Sequence, residues 1–224
     1  MRDAPHHRGR PSRHGDDARL SETSHCRQQY DLGEMNLRGW CGSRWVAGMG
    51  ELRTERLLLR RWRESDLEPW AAMNSDPEVR EYLGDVLTRE QSDASVAAFQ
   101  AEFDERGYGW WAIEVQATGE FIGFAGLDDV EPGLPVTGVE IGWRLTRASW
   151  GHGYATEAAR ATLTCGFAVL ELREILAITT ATNQRSQAVM RRLGMTHNPG
   201  DNFEDSSAAP DGPLRHHVVY RITR

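Results

Sequence analysis

Residues 139–170 constrain the fold more than any other stretch, because a strand-like run, a glycine loop and an alanine-rich helical pattern follow there without interruption. Val139-Glu-Ile-Gly-Trp-Arg-Leu145 reads as a strand, in which alternate side chains face opposite sides of a sheet. The loop Thr146-Arg-Ala-Ser-Trp-Gly-His-Gly-Tyr-Ala155 carries glycines at 151 and 153. From about Gly153 to Leu170 the period becomes helical, with Ala155, Ala159, Leu163, Phe167 and Leu170 on the face turned to the sheet. Two glycines at the start of a helix let the backbone approach a ligand closely. Successive N–H groups in such a turn form a nest, and the helix dipole adds positive potential. This is a site for phosphate or pyrophosphate that needs no lysine. A Gly-x-Gly pair alone also describes many ordinary turns.

The remaining text supplies the sheet and its cover. A strand-like apolar cluster lies within Arg53–Arg63. Ser65 with Glu68 reads as a capping box for a short helix carrying Trp70 and Met73, and Asp76-Pro77 opens a second. Thr88 with Gln91 caps a longer helix whose apolar face is Val96, Phe99 and Phe103, and Gly107 ends it. Trp110–Val115 and Phe121–Leu127 read as strands joined by the turn Ala117-Thr-Gly-Glu120. Trp110 and Trp111 point to opposite faces, so one is core and the other is free to wall a cleft. Beyond the glycine loop, Ile175–Thr180 reads as a strand, Arg185–Leu193 as a helix closed by Gly194, and His216–Ile222 as a terminal strand. Asn183 and Ser186 stand three apart at a helix start, the pattern of an N-cap and a first-turn hydroxyl. The order describes one mixed α/β (α+β) domain with a single sheet flanked by helices.

Residues 1–48 are rich in Arg, His, Gly, Ser and Asp without a sustained period, and are expected to be disordered or loosely attached to a domain spanning 49–224. Met35 and Met49 stand as alternative starts. All 26 basic residues are arginine. Residues 51–224 hold eighteen of them against twenty-seven acids. So acidic a body disfavours nucleic acid as a partner, since phosphate contacts need a basic face. The chain has no Gly-Lys-Ser/Thr and no lysine at all, which excludes the nucleotide loop built on that motif. Cys26, Cys41 and Cys165 lack metal spacing and read as thiols of a reducing compartment. No secretory signal opens the sequence, and no apolar run approaches the roughly 20 residues of a membrane span. A cytoplasmic protein without metal or membrane partner is the expectation.

Taken in order, Leu52-Arg-Thr-Glu-Arg-Leu-Leu-Leu-Arg60, Glu140-Ile-Gly-Trp-Arg-Leu145, Trp150-Gly-His-Gly-Tyr-Ala-Thr-Glu-Ala158 and Asn183 through Met195 resemble the GNAT N-acetyltransferase superfamily. The likeness is to the branch that acetylates ribosomal-protein N-termini, and it covers about residues 51–224. It implies a mostly antiparallel sheet splayed open between strands 139–145 and 175–180, with acetyl-CoA as cosubstrate. Pantetheine would pair with the backbone near Trp143 and Leu145. The pyrophosphate would sit on Trp150, Gly151, His152, Gly153, Tyr154 and Ala155. Trp150 stands where the family usually has Arg or Gln, and binding through main-chain N–H groups survives that change. Asn183 is a cap or a pantetheine contact, and His152 is expected to face solvent.

For the chemistry, Ser186 matches the serine that protonates the departing sulfur, and an N–H near Trp143 would polarise the thioester carbonyl. Glu140 lies beside the gap and is either the base or a structural carboxylate. If the Ile141 face is core, Glu140 faces the acceptor. The acceptor is a primary amine, either a protein N-terminus or a small molecule. An α-amino group, with a pKa of about 7.7–8.0, would need little help from a base. Asp201, Glu204 and Asp205, in the long loop 197–213, are candidates for an acceptor pocket or for plain surface. The same fold without catalysis would be a coenzyme-A-binding regulator. A monomer and a homodimer both fit the sequence.

Overall fold

The computed structural model describes residues 50–209 and 211–224, so the expectation for residues 1–48 lies outside the described residues. The chain begins with a hairpin of two strands, β1 (Glu51–Arg53) and β2 (Leu57–Arg60), where the sequence suggested one apolar cluster. Its turn contains no glycine. Thr54 closes it instead: the Thr54 hydroxyl accepts the Leu57 N–H at 2.9 Å, and the Thr54 N–H donates to the Leu57 carbonyl at 3.0 Å.

A buried ionic corner follows β2. The Arg60 guanidinium grips both oxygens of Asp66 at 2.6 and 2.8 Å and donates to Glu114 at 2.7 Å. Asp66 also accepts the Arg63 N–H at 2.8 Å, so the turn into α1 (Leu67–Asn74) is capped by Asp66 and not by Ser65 with Glu68. Asp76 caps α2 (Pro77–Arg80) through the Glu78 N–H. Thr88 and Gln91 form the expected box on α3 (Arg89–Arg106), and Gly107, with a φ of 78°, ends it.

Strands β3 (Trp110–Val115), β4 (Glu120–Asp129) and β5 (Val139–Leu145) continue the sheet as an antiparallel meander. Then come α4 (Tyr154–Ala168), β6 (Glu174–Thr180), α5 (Gln184–Arg192), two short strands β7 (Thr196–His197) and β8 (Phe203–Glu204), and β9 (His216–Thr223). The sheet order is β1-β2-β3-β4-β5-β6-β9-β7, with β8 also on β9, and among the described residues only β5 and β6 run parallel. The mixed, mostly antiparallel sheet is thus as expected.

Each face of the sheet has its own core. On one side α4 and α5 bury Ala158, Ala159, Leu163, Cys165 and Met190 against Leu57, Leu59, Ile113, Ile141 and Ile175. Small residues on α4 let that helix lie close to the strands. Burial pushes the Cys165 thiol up to about 12, so it is an inert core group. On the other side α1 to α3 cover an aromatic cluster of Trp62, Trp70, Phe99, Trp110, Phe121 and Phe124. Trp111 is fully buried and Trp110 faces the opposite side, as strand alternation requires.

Candidate active site

β5 pairs with β4 along its whole length, from Val139 opposite Asp129 to Leu145 opposite Gly123. Its register with β6 consists of Glu140 opposite Leu176. Beyond that point the strands part. The Thr146 N–H donates to the Ile122 carbonyl of β4 at 2.8 Å. Backbone groups alternate sides along a strand, so those of Trp143 and Leu145 point away from β4 and into the gap. Backbone polar groups at a ladder's edge need partners, and an extended amide chain is a fitting one. The Trp150 indole N–H already donates to the Leu145 carbonyl at 3.0 Å, which leaves the Trp143 groups and the Leu145 N–H to a ligand.

The gap opens into a cavity of about 960 Å³ that runs through the sheet from one face to the other. On the α4 side it is bordered by Trp150, Gly151, Gly153, Tyr154, Ala155 and Thr156. Gly151 and Gly153 have φ of 80° and 81°, the left-handed region where a side chain is strained. Gly153 caps α4, whose first amides have no acceptor within the helix. The loop is therefore shaped to offer N–H groups to a diphosphate. His152 is the exception among the expected loop residues. It is exposed, its ring stacks on Tyr154, and its side chain does not border the cavity.

Arg56 was not singled out by sequence, yet it clamps this loop. Its guanidinium donates to the His152 carbonyl at 3.0 Å and to Glu157 at 2.7 Å, and it lies 4.7 Å over the Tyr154 ring. Glu157 also accepts the Thr54 hydroxyl and the Arg56 N–H. Burial opposes its ionisation, but these donors hold its carboxyl below the usual carboxylate range. The hairpin turn thus ties β2 to the first turn of α4.

Asn183 and Ser186 border the cavity at the start of α5. The Asn183 side chain accepts the Ser186 N–H at 3.1 Å and donates to the Thr179 hydroxyl at 3.0 Å. It is a helix cap that joins α5 to β6. Ser186 is half-buried, and its hydroxyl makes no hydrogen bond among the described residues.

The opposite face of β5 carries Glu140, Gly142 and Arg144. Ile141 is core, so Glu140 does point to the side covered by α1 to α3. Gly142 leaves room for the Trp110 ring, since a Cβ there would lie 2.9 Å from it. Burial, with help from Asp128 and Glu131, raises the Glu140 carboxyl to about 7. Arg144 lies 5.4 Å over Trp70 and 5.3 Å over Phe124, and donates to the Asn74 side chain at 2.8 Å. Burial and the nearby Arg80 lower its guanidinium to about 9. Glu78, Val79, Tyr82 and Leu83, on and after α2, form the facing wall.

The loop acids take no part. Asp201 pairs with Arg221, Glu204 with Arg215, and Asp205 accepts from Ser207. None of the three borders the cavity. Among the described residues no group of His, Cys, Asp and Glu is arranged to hold a metal ion, and no helix is long and apolar enough to cross a membrane.

A mostly antiparallel sheet that opens between two parallel strands, over a glycine loop at a helix start, defines a coenzyme-dependent acyltransferase architecture. The acetyltransferase (GNAT) domain family matches residues 56–196, and the chain belongs to that family. An uncharacterized N-acetyltransferase of Bacillus subtilis (strain 168), YoaA, is 30% identical over 145 residues, which are 64% of this chain and 81% of that protein. The acetyltransferase structure from Agrobacterium tumefaciens str. C58 is 28% identical with a TM-score of 0.63, covering 86% of this chain and 100% of that one. A RimL ribosomal L7/L12 alpha-N-protein acetyltransferase solved with coenzyme A is 20% identical with a TM-score of 0.62, covering 76% and 95%, a likeness of fold.

Proposed function

We propose that the protein transfers an acetyl group from acetyl-CoA to a primary amine by direct attack within a ternary complex. The observation that carries this reading is that Glu140 and Ser186 border one cavity from opposite sides of the open strand pair. Acetyl-CoA supplies the activated thioester. The edge N–H groups of β5 and the glycine loop hold its pantetheine and diphosphate, with Trp143, Leu145, Trp150, Gly151, Gly153, Tyr154 and Ala155 as the contacts.

Glu140, with a carboxyl near 7, is half ionised at neutral pH and takes the ammonium proton of the acceptor, directly or through water. The free amine then attacks the thioester carbonyl, whose developing negative oxygen receives the Trp143 N–H. As the C–S bond breaks, the nitrogen releases its second proton to water, the Ser186 hydroxyl gives its proton to the sulfur, and the serine regains one from solvent, so that the net change is one proton moved from the amine to the thiol. A thiol of pKa about 8.5 leaves fairly well, so this last step needs only modest help. Asn183 fixes the start of α5 and thereby the position of Ser186.

A thiol-release assay with acetyl-CoA against peptides, polyamines, amino acids and aminoglycosides tests the reading. Amine-dependent release of coenzyme A with a matching acetylated product is the expected result. Tight acetyl-CoA binding without turnover on any amine would favour the regulator.

A further inference from the structure

The acceptor face of β5 carries opposite charges at its two ends. Glu140 and Arg144 share that face with Gly142 between them, and four residues of strand put their Cα atoms about 13 Å apart. Around Glu140 the neighbouring charge is negative. Asp128 is its register partner on β4, and Glu131 lies close enough to act on it. Arg106 and the Trp110 N–H engage Asp128, at 2.6 and 3.2 Å, and leave Glu140 itself unpaired among the described residues. Around Arg144 the neighbouring charge is positive and comes from Arg80, whose guanidinium is turned to the Leu83 and Asp85 carbonyls. The carboxylate on that wall, Glu78, is taken by Arg147.

Arg144 is therefore a half-buried cation in an aromatic box, and no carboxylate pairs with it among the described residues. Its hydrogen bond to Asn74 uses one of five donors. The two rings beside it hold the guanidinium in place, and its remaining donors are left to a ligand. That planar fork is the group best matched to a carboxylate, which it grips through two parallel hydrogen bonds. Uncompensated buried charge is costly, so a counter-ion arriving with the substrate would find little desolvation left to meet.

We propose that Arg144 anchors a carboxylate of the acceptor, so that the substrate is a small amino-carboxylate molecule. Its ammonium faces Glu140 and its carboxylate faces Arg144. This rests on the acetyl-transfer reading above. The acceptor is small because the two walls are joined beside it: Arg185 of α5 pairs with Glu81 after α2 at 2.7 Å, and its guanidinium lies 4.2 Å from the Trp150 ring and 5.7 Å from that of Tyr82.

The test compares amino acids with their own carboxamides as acceptors, across α-, β- and ω-amino series, at equal free-amine concentration. The wild-type protein is expected to favour the acid over the carboxamide by about tenfold to a hundredfold in kcat/KM, as for a lost charge-assisted hydrogen bond. In Arg144→Met that ratio is expected to collapse towards one, chiefly through KM, and Arg144→Lys should restore part of it. Calorimetry with acetyl-CoA checks that the variants still bind the donor. The wild-type ratio needs no variant, so a misfolded Arg144→Met leaves the test intact. Carboxamides acetylated as well as acids, or a ratio that survives Arg144→Met, overturns the anchor alone. Acetyl-CoA binding with no amine acetylated overturns the transfer reading and the anchor together.

Discussion

Glu140 stands opposite Leu176 at the one register pair that joins β5 to β6. The residue proposed as the base is thus also the residue at which the sheet begins to open. Its backbone belongs to the closed part of the sheet and its side chain to the cavity. A rigid scaffold therefore fixes the carboxylate at the edge of the space where the thioester and the amine would meet.

The Glu140 carboxyl makes pH an informative variable. Its folded-state value of about 7 exceeds the unfolded value near 4.5. The folded state then holds the proton more tightly, so the Glu140 contribution to stability falls as pH rises from about 4.5 to about 7 and is flat beyond. Glu140→Gln mimics the protonated form. It is expected to melt higher than wild type at pH 8 and equally near pH 4. It should also lose most of kcat/KM at neutral pH, and the wild-type rate should rise through about pH 7. Scanning calorimetry and a pH–rate profile check both halves.

The glycine loop is expected to depend on backbone conformation and not on the histidine within it. A Cβ at Gly153 would meet only the Arg56 guanidinium, at 3.6 Å, so space is not the obstacle. The φ of 81° is the obstacle, worst for a β-branched residue. Forcing Gly153→Val should cost roughly 1–3 kcal/mol of strain or turn the loop amides away. Acetyl-CoA affinity by calorimetry should fall about tenfold or more, since about 1.4 kcal/mol is a factor of ten. His152→Ala should bind within about twofold of wild type, because its side chain is exposed and away from the cavity.

The ionic corner that sets α1 in place is expected to be intolerant of single changes. Arg60 and Asp66 are 3% and 1% exposed, and removing Asp66 strands a buried guanidinium. Asp66→Ala should destabilise the domain by about 3–5 kcal/mol in chemical denaturation, with Glu114 offering partial compensation. Because α1 ends at Asn74, which orients Arg144, the same variant should also weaken acceptor use.

These residues show what a sequence makes legible. β5 and the outward side of Glu140 follow from a period of two and a single core residue, Ile141. The capping box of α3 follows from two residue types at fixed spacing. Arg56 and Arg144 are different. In a chain whose only basic residue is arginine, neither can be told from a surface charge, and their roles arise from partners 101 and 70 residues away. The β1–β2 turn was hidden because a threonine side chain closes it where glycine or asparagine would usually announce it. The loop acids Asp201 and Glu204 looked available because their arginine partners come from β9 and the residue before it, while Asp205 is satisfied within the loop by Ser207.

Ser186 is expected to act on the chemical step and not on donor binding. It sits in the first turn of α5, at the rim of the cavity, with its N–H held by Asn183 and its hydroxyl without a hydrogen bond among the described residues. A hydroxyl so placed is open to the sulfur of a bound thioester. Tyr220, a second hydroxyl on the opened half of the sheet, is disqualified by its surroundings. It is buried, does not border the cavity, accepts from Arg191 at 3.2 Å and donates to Gln187 at 3.4 Å. Ser186→Ala should lower kcat and kcat/KM together by about tenfold to a hundredfold, the low end of general-acid effects, with the acetyl-CoA dissociation constant unchanged. Asn183→Ala should instead cost about 1 kcal/mol of stability through the lost cap. Tyr220→Phe should leave turnover close to wild type. Wild-type turnover in Ser186→Ala would move the proton to water or to another hydroxyl that borders the cavity, such as Thr179, because Tyr220 does not border it.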